Sequence, residues 1–208
     1  MTQSDRYDFN KGKLNEFKFD DPLLFFNECY QASQEGGCAD PHAVVISTVD
    51  ASGQPSSRVV YMRGLVEEGI IIYTNYLSRK GRQILKNPKV ALLFYWDCIE
   101  RQVRIEGVAE KVDSKLSDEY FAQRPRISQI GAWASEQSSE ISDRETLEER
   151  VRYFEKKYPN EVPRPPHWGG YLIQPNYFEF WQGRLGRLHD RLTYTKDGSS
   201  WKKARIAP

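Results

Sequence analysis

Ala43-Val-Val-Ile-Ser-Thr-Val49, Asp50-Ala-Ser-Gly53 and Ser57-Arg-Val-Val-Tyr-Met62 together spell a β-hairpin. The first segment is rich in β-branched residues, the second is turn chemistry, and the third is a returning strand. The same grammar repeats downstream. Glu67-Glu68-Gly69 turns the chain into a strand over Ile70 to Thr74, and Val90 to Tyr95 and Gln102 to Val112 are further strands. Ser78 caps a short helix, Arg79 to Leu85, that Asn87-Pro88 ends. Upstream, Asp20-Asp21-Pro22 opens a helix whose stripe of Leu23, Phe26, Tyr30 and Ser33 runs to Gly36-Gly37. Residues 1–19 are charged and lack periodicity, which predicts a mobile arm ahead of a single domain over 20–208. After Asp113 the character shifts: Ser114 to Gln123 and Ser142 to Lys157 read as helices, and Val162 to Pro166 as a Pro-rich linker. Tyr171 to Ile173, Phe178 to Gln182, Arg187 to Thr195 and Trp201 to Ile206 return to strands. Short strands joined by hairpins with helices inserted late predict a mainly β, α+β chain, an antiparallel barrel with peripheral helices. The chain has no parallel βαβ rhythm and no GxGxxG, which argues against a Rossmann site.

Composition limits the partners. The formal net charge is +1, which gives no global reason to expect nucleic acid, so any anion must be held by local clusters. Aromatic residues make up 13% of the chain, with five Trp and twelve Tyr, which suits a β-rich fold with flat ligand surfaces. Cys29, Cys38 and Cys98 are scattered and odd in number, with no CxxC, which predicts neither a disulfide framework nor a zinc site and fits a reducing compartment. Metal-ligand spacing is absent as well. The polar N-terminus and the lack of any run of 18 apolar residues predict neither a signal peptide nor a membrane span, and a cytoplasmic protein.

Five clusters could carry chemistry. Arg58 to Arg63 place two arginines on one strand, and taken alone they read as a solvated strand edge. Tyr73-Thr74-Asn75 with Ser78-Arg79-Lys80 runs a strand into a helix N-terminus, a phosphate cradle or equally an exposed basic helix start. Glu100 to Arg104 alternates charge, and its Gln102 offers an amide that can read a heterocycle edge. Tyr120 and Arg124 share a helical face, and Arg124 and Ser128 flank a proline, a candidate phosphate site that alternatively is ordinary capping. Beyond them, Ile130 to Ser139 reads as a loop with small polar residues. The fifth cluster, Glu179-Phe-Trp-Gln-Gly-Arg-Leu-Gly-Arg-Leu-His-Asp-Arg191, is the densest. Alternation after a Gly183–Gly186 turn puts Arg187, His189 and Arg191 on one strand face, with Leu188 and Asp190 opposite. Two guanidiniums and an imidazole aimed one way suit a planar anionic ligand, with His189 kept neutral by its cationic neighbours. Arg184 reads as a turn residue, and His42 and His167 as surface and structural residues.

Taken together these segments resemble the pyridoxamine/pyridoxine 5′-phosphate oxidase family, FMN enzymes of the split-barrel fold. Arg58-Val-Val-Tyr-Met-Arg63, Ser78-Arg-Lys80, Tyr120-Phe with Arg124-Pro-Arg126, Gln137-Ser-Ser139, Trp168-Gly-Gly170, the 179–191 stretch and the closing Arg205-Ile-Ala-Pro208 carry the likeness. The resemblance implies FMN held by Arg58, Val59, Val60, Tyr61, Met62, Arg63, Tyr73, Thr74, Arg79, Lys80, Gln102, Gln137, Ser138, Trp181 and Arg191. It implies a homodimer with FMN at the subunit interface, and a C-terminal dimerisation and active-site segment over 166–208. Substrate phosphate would meet Arg63, Tyr120, Arg124 and Ser128. Arg187 and His189, the catalytic pair, and Leu188 would face the pyridine ring, with Arg6 of the arm helping to close the site. The implied reaction oxidises pyridoxine or pyridoxamine 5′-phosphate to pyridoxal 5′-phosphate, with dioxygen as acceptor and hydrogen peroxide as product. Arg63 stands where the family usually has Lys, and Phe9 where many members have Tyr. The competing readings are a split-barrel flavoenzyme for another planar substrate, such as a phenazine precursor, and a non-catalytic flavin or pyridoxal-phosphate binding module.

Overall fold

The computed structural model describes residues 8–208, so Arg6 lies outside the described residues. The opening hairpin forms as β1 (Ala43–Val49) and β2 (Pro55–Val66), with Val45 opposite Val59. The Asp50 carboxylate accepts the Ser52 and Gln54 amides at 2.9 and 3.0 Å, which fixes the turn. β3 (Gly69–Asn75) follows, then β4 (Lys89–Trp96), β5 (Arg101–Lys111) and the 15-residue β6 (Trp168–Gln182). Their order is β3-β2-β1-β4-β5-β6, and β3 pairs back onto β6, so six antiparallel strands close a barrel. β7 (Asp190–Asp197) and β8 (Ser200–Arg205) extend the sheet beyond β6. Inward residues of the barrel strands make the core: Ile46, Ile70, Ile72, Leu92, Phe94, Val103, Ile105, Ile173, Phe178 and Phe180 are all fully buried.

Among the described residues, five helices surround the barrel. α1 (Pro22–Glu35) starts where the Asp21 carboxylate accepts the Leu23 amide, and sends Phe25, Phe26 and Cys29 into the core. α2 (Arg79–Lys86) is capped by the Ser78 hydroxyl, which accepts the Gly81 amide. α3 (Ser114–Ala122), α4 (Arg126–Ala134) and α5 (Arg144–Lys157) lie between β5 and β6. They bring a second small core of Phe121, Ile130, Val162 and Trp168.

Several expectations are corrected. α4 occupies part of the span read as a loop; its N-cap is Pro125, with no side-chain cap to announce it. β6 is one strand where two were expected, and Pro175 is tolerated inside it because the ladder shifts register between Glu106 and Gly107. Arg187, Leu188 and His189 do not lie on a strand: Leu185–Arg187 is a 3-10 turn, β7 starts at Asp190, and the alternation that grouped Arg187 and His189 with Arg191 fails. Barrel closure also pairs two cysteines read as unpaired. Cys38, just past α1, and Cys98, in the 3-10 turn Asp97–Ile99, bring their Cα atoms to 5.2 Å and form a disulfide; Cys29 stays a buried free thiol.

Residues 8–19 carry no regular element, yet they are tied down as a strap. The Asn10 and Lys11 amides donate to Glu100 Oε2, the Leu14 amide to Asp190, and Arg205 to the Leu14 and Asn15 carbonyls. Leu14 itself belongs to the barrel core.

Candidate active site

A cavity of about 520 Å³ opens between the barrel and the helices inserted after β5. β2 gives it Arg58, Val59, Val60, Tyr61 and Arg63; β3 gives Tyr73 and Thr74; α2 gives Lys80. Tyr120, Arg124, Ser128 and Gln137 reach it from α3, α4 and the segments beside them. Among the described residues no Asp or Glu lines it, although four of its side chains are cationic.

Those cations form two stations. At the start of α2, Lys80 is only 7% exposed and donates to Thr74 Oγ1 and Gln137 Oε1 at 3.0 Å and to Ser78 Oγ at 3.3 Å. All three acceptors are neutral. Burial first, and then Arg58, push the Lys80 ammonium down to about 8. Arg58 is held by Thr48 Oγ1 at 2.7 Å, which in turn donates to Gln83. Burial lowers the Arg58 guanidinium too, with Arg79 adding to it. The second station is Arg124. Its guanidinium lies 4.6 Å from the Trp168 ring, and its Nη1 is buried with no hydrogen-bond partner. Burial lowers it, and Arg63 opposes its charge. Tyr73 and Tyr120 stack in parallel at 3.9 Å, and Tyr73 continues the stack onto Trp168 at 5.5 Å. Buried cations without carboxylates and an orphaned N–H are costly unless an anion completes them. Both stations have the donor set of a phosphate site.

The remaining predicted residues stand elsewhere. Met62 is buried in the barrel core and can offer a ligand only its backbone. Arg79 and Ser138 flank the cavity in sequence without lining it, and Ser138 takes the left-handed φ of 72°. Gln102 sits across the ladder from Trp181, at the far end of β6. Arg191, opposite Trp181 on β7, gives its Nε to Glu179, a carboxylate 2% exposed that Arg104 also holds. His189 packs against Trp181 at 4.6 Å and Phe9 at 5.5 Å. Its Nδ1 accepts the Arg184 amide at 3.1 Å, so the neutral ring carries its proton on Nε2. Burial, then Arg187, lower its pKa. Arg187 and Leu188 are exposed, and Arg187 has φ 63°.

Two groups therefore exist in one chain. Trp168 opens β6 at the cavity, and Trp181 lies thirteen residues along it. At about 3.3 Å per residue, that is roughly 40 Å of strand. Within one chain β6 separates the groups rather than joining them.

Sequence reading gave Trp168 no role, yet it supports Arg124 and lines the cavity. The signal lay in the Gly169-Gly170 pair beside it. A Cβ at Gly169 would fall 2.1 Å from Tyr76 Oη, and one at Gly170 2.9 Å from the Tyr73 ring. Only glycine lets those rings close on the strand. Asn75, Gly131, Ala132 and Ser135, which fall within the sequence clusters but were given no role there, also line the cavity.

Comparison with known proteins resolves the arrangement. Residues 33–158 match the family model described as pyridoxamine 5′-phosphate oxidase. The chain belongs to that family. Residues 168–208 match the model described as the pyridoxine 5′-phosphate oxidase C-terminal dimerisation region. The second model covers β6 to β8, so the strand end bearing Trp181 and His189 belongs to a dimer-forming segment. A relative from Bordetella avium named pyridoxine/pyridoxamine 5′-phosphate oxidase is 50% identical, with all of both chains covered. One of the same name from Rubrobacter xylanophilus is 46% identical, covering 98% of this chain and 94% of that one. Membership in this oxidase family makes the protein an oxidoreductase.

Among solved structures, PhzG from Burkholderia lata, in complex with tetrahydrophenazine-1-carboxylic acid, aligns with a TM-score of 0.88 at 28% identity, covering 95% of this chain and 100% of that one. An FMN-binding protein related to pyridoxamine 5′-phosphate oxidase, from Nostoc punctiforme, shares the fold at TM-score 0.72 and 17% identity, with 90% and 98% covered. Among the described residues no cluster of His, Cys, Asp and Glu could hold a metal, and no helix is long and apolar enough to cross a membrane.

Proposed function

We propose that this protein is an FMN-dependent oxidase that converts pyridoxine or pyridoxamine 5′-phosphate to pyridoxal 5′-phosphate, with dioxygen as acceptor and hydrogen peroxide as product. One observation carries the reading: a single cavity holds two separate cationic stations and, among the described residues, no lining carboxylate and no partner for Arg124 Nη1. Two stations call for two phosphorylated ligands, a cofactor and a substrate.

The residues present fit FMN. Lys80, Arg58 and Arg79 at the α2 N-terminus would hold its phosphate, and Thr74 and Gln137 already orient Lys80 through its hydrogen bonds. Bound FMN supplies the redox chemistry, taking a hydride equivalent from the substrate C4′ carbon and passing the electrons to dioxygen. Arg124, Arg63, Tyr120 and Ser128 would hold the substrate phosphate, with Trp168 keeping the Arg124 plane in place. From the partner subunit, Trp181 and Arg191 beside the β6–β7 turn and Gln102 on the neighbouring β5 would complete the flavin pocket, and Arg187, Leu188 and His189 of the turn would meet the pyridine ring. The Nε2–H of His189 is a hydrogen-bond donor to a polar substituent there, since Nδ1 is engaged by the Arg184 amide. Placing FMN at the subunit interface joins two groups that one chain holds apart. The phosphate esters do not cross a bilayer unaided, so we place the enzyme in the cytoplasm with its ligands.

The structural likeness to PhzG keeps a phenazine-type substrate as the second reading. A carboxylate could also pair with Arg124 Nη1, so the two readings are separated by reaction and not by that group alone. The test is anaerobic addition of stoichiometric pyridoxine 5′-phosphate to the flavin-loaded protein, with tetrahydrophenazine-1-carboxylic acid in parallel. Bleaching of the flavin band by the phosphate ester alone supports the proposal. Bleaching only by the phenazine compound, or by neither, overturns it.

A further inference from the structure

We propose that Cys38 and Cys98 form a redox modification site for hydroperoxides, and that closing this bond fastens the turn that holds the N-terminal strap over the β6–β7 half-site. The two half-buried cysteines are bonded across 60 residues of sequence, clipping the end of α1 to the β4–β5 turn. The third thiol, Cys29, is fully buried and its pKa is pushed up to about 11, so it competes poorly for oxidants.

What the turn carries makes the bond consequential. Glu100, two residues after Cys98, is 1% exposed and sits in the left-handed region at φ 54°. Its Oε2 accepts the Asn10 and Lys11 amides at 2.6 and 2.8 Å. The Glu100 carbonyl accepts the Gly183 amide and Gln182 Nε2, and the Cys98 carbonyl accepts Lys11 Nζ. The strap held there seats Phe9 against Gly183, where a Cβ would lie 2.3 Å from the Phe9 ring. Phe9 then meets Trp181 and His189 edge-on. A continuous path of contacts runs from the disulfide through Glu100 and the strap to His189. Losing the clip frees the turn to shift against α1, and the strap depends on that turn for three hydrogen bonds.

The chemistry balances with a hydroperoxide as the only co-reactant. One thiolate attacks a peroxide oxygen, the O–O bond breaks, and hydroxide leaves to become water with the thiol's proton. The resulting sulfenic acid is attacked by the second thiolate, the S–S bond forms, and its hydroxyl leaves as a second water. The two sulfurs lose two electrons and the peroxide gains them; a dithiol reverses the step. The site stands on geometry alone. Its proposed supply, peroxide released by the enzyme's own turnover, rests on the oxidase reading above.

The test uses flavin-loaded enzyme, reduced with dithiothreitol and desalted. Hydrogen peroxide should lower the free-thiol count from three to one and leave the chain two hydrogens lighter. Tryptic cleavage after Lys11 and Lys13 should slow on oxidation, and the KM for pyridoxine 5′-phosphate should fall by roughly three- to tenfold, the worth of about one hydrogen bond. Cys38→Ser and Cys98→Ser should behave like reduced enzyme under every condition. Glu100→Gln should still form the bond but lose its effect on cleavage and KM. Three thiols persisting under peroxide, or a bond that changes neither cleavage nor KM, overturns the proposal. If added peroxide closes the bond but the enzyme incubated with pyridoxine 5′-phosphate in air releases no peroxide, the oxidase reading fails while the site stands; peroxide released without closing the bond removes only the self-supply.

Discussion

The cavity and the β6–β7 turn solve opposite problems. The cavity buries cations without a counter-charge: Lys80 and Arg124 are surrounded by neutral hydroxyls, amides and rings, and burial opposes their charge. The turn keeps an imidazole neutral, with Arg187 beside it and a backbone amide on Nδ1. The cavity is walled by barrel and helix, whereas the turn carries an exposed Arg187 at a left-handed φ and leans on a strap. The first lacks an anion and the second lacks a wall. Thirteen residues of β6, roughly 40 Å of strand path, run between them within one chain. On the proposed function the difference makes each of them half of a site, which a dimer would complete by bringing one chain's cavity to its partner's turn.

The sharpest way to break this comparison is subunit mixing. Arg124→Ala should cut kcat/KM by about 100-fold through loss of charge-assisted bonds to the substrate phosphate, chiefly in KM. Arg187→Ala should cut kcat while leaving FMN bound. Co-expressed, the two variants form heterodimers in which one site carries both changes and the other carries neither. With random pairing, half the dimers are mixed and each has one intact site, so activity should return to about a quarter of wild type. If each chain built its whole site alone, the mixture would stay as inactive as its parents, and the half-site description would fall.

A smaller effect separates the stations by pH. Lys80 titrates at about 8 in the ligand-free fold against 10.5 ordinarily. A phosphate dianion beside it raises that value, so binding takes up a proton above pH 8. The FMN dissociation constant should then climb by up to tenfold per pH unit above about 8, by linkage. Stability of the ligand-free protein runs the other way. The folded form binds fewer protons than the unfolded between about 8 and 10.5, so this site favours folding more as pH rises through that window and less as pH falls through 8. Lys80→Met should bind FMN more weakly and flatten both trends. A slope unchanged in Lys80→Met would assign the pH dependence to another group.

How much of this was legible in the sequence follows from how local each signal is. β1, α1 and α2 were readable to within a residue or two, because Asp21, Ser78 and the Asp50 turn write their boundaries in adjacent side chains. α4 was not, because it begins at Pro125 with no capping side chain and holds Gly131. The turn at 185–189 defeated alternation because Gly186 and Arg187 both adopt positive φ, and nothing in the residue types forces that on an arginine. The cavity cations drew their assignment from the family resemblance, because taken alone their residue types and spacing also read as a solvated strand edge, an exposed helix start and ordinary capping. Their Trp168 support and the Cys38–Cys98 bond were not legible, since both depend on barrel closure joining distant segments.

The smallest expected effect tests the turn itself. His189 is depressed by burial first and by Arg187 second, and a proton on Nδ1 would also break the bond from the Arg184 amide. Phe9 supplies part of that burial, edge-on to the ring at 5.5 Å. Phe9→Ala should therefore raise the His189 pKa toward 6.5, its ordinary value, and the acid limb of kcat/KM should move to higher pH by less than about one unit. Arg187→Ala should move the limb in the same direction by removing the neighbouring cation, which residual activity suffices to measure. The alkaline loss expected from weaker FMN binding through Lys80 of α2 should stay put in both variants. An acid limb that moved in neither would take His189 out of the pH profile. An alkaline limb that moved with it would mean that the two regions titrate as one and that the separation along β6 does not isolate them.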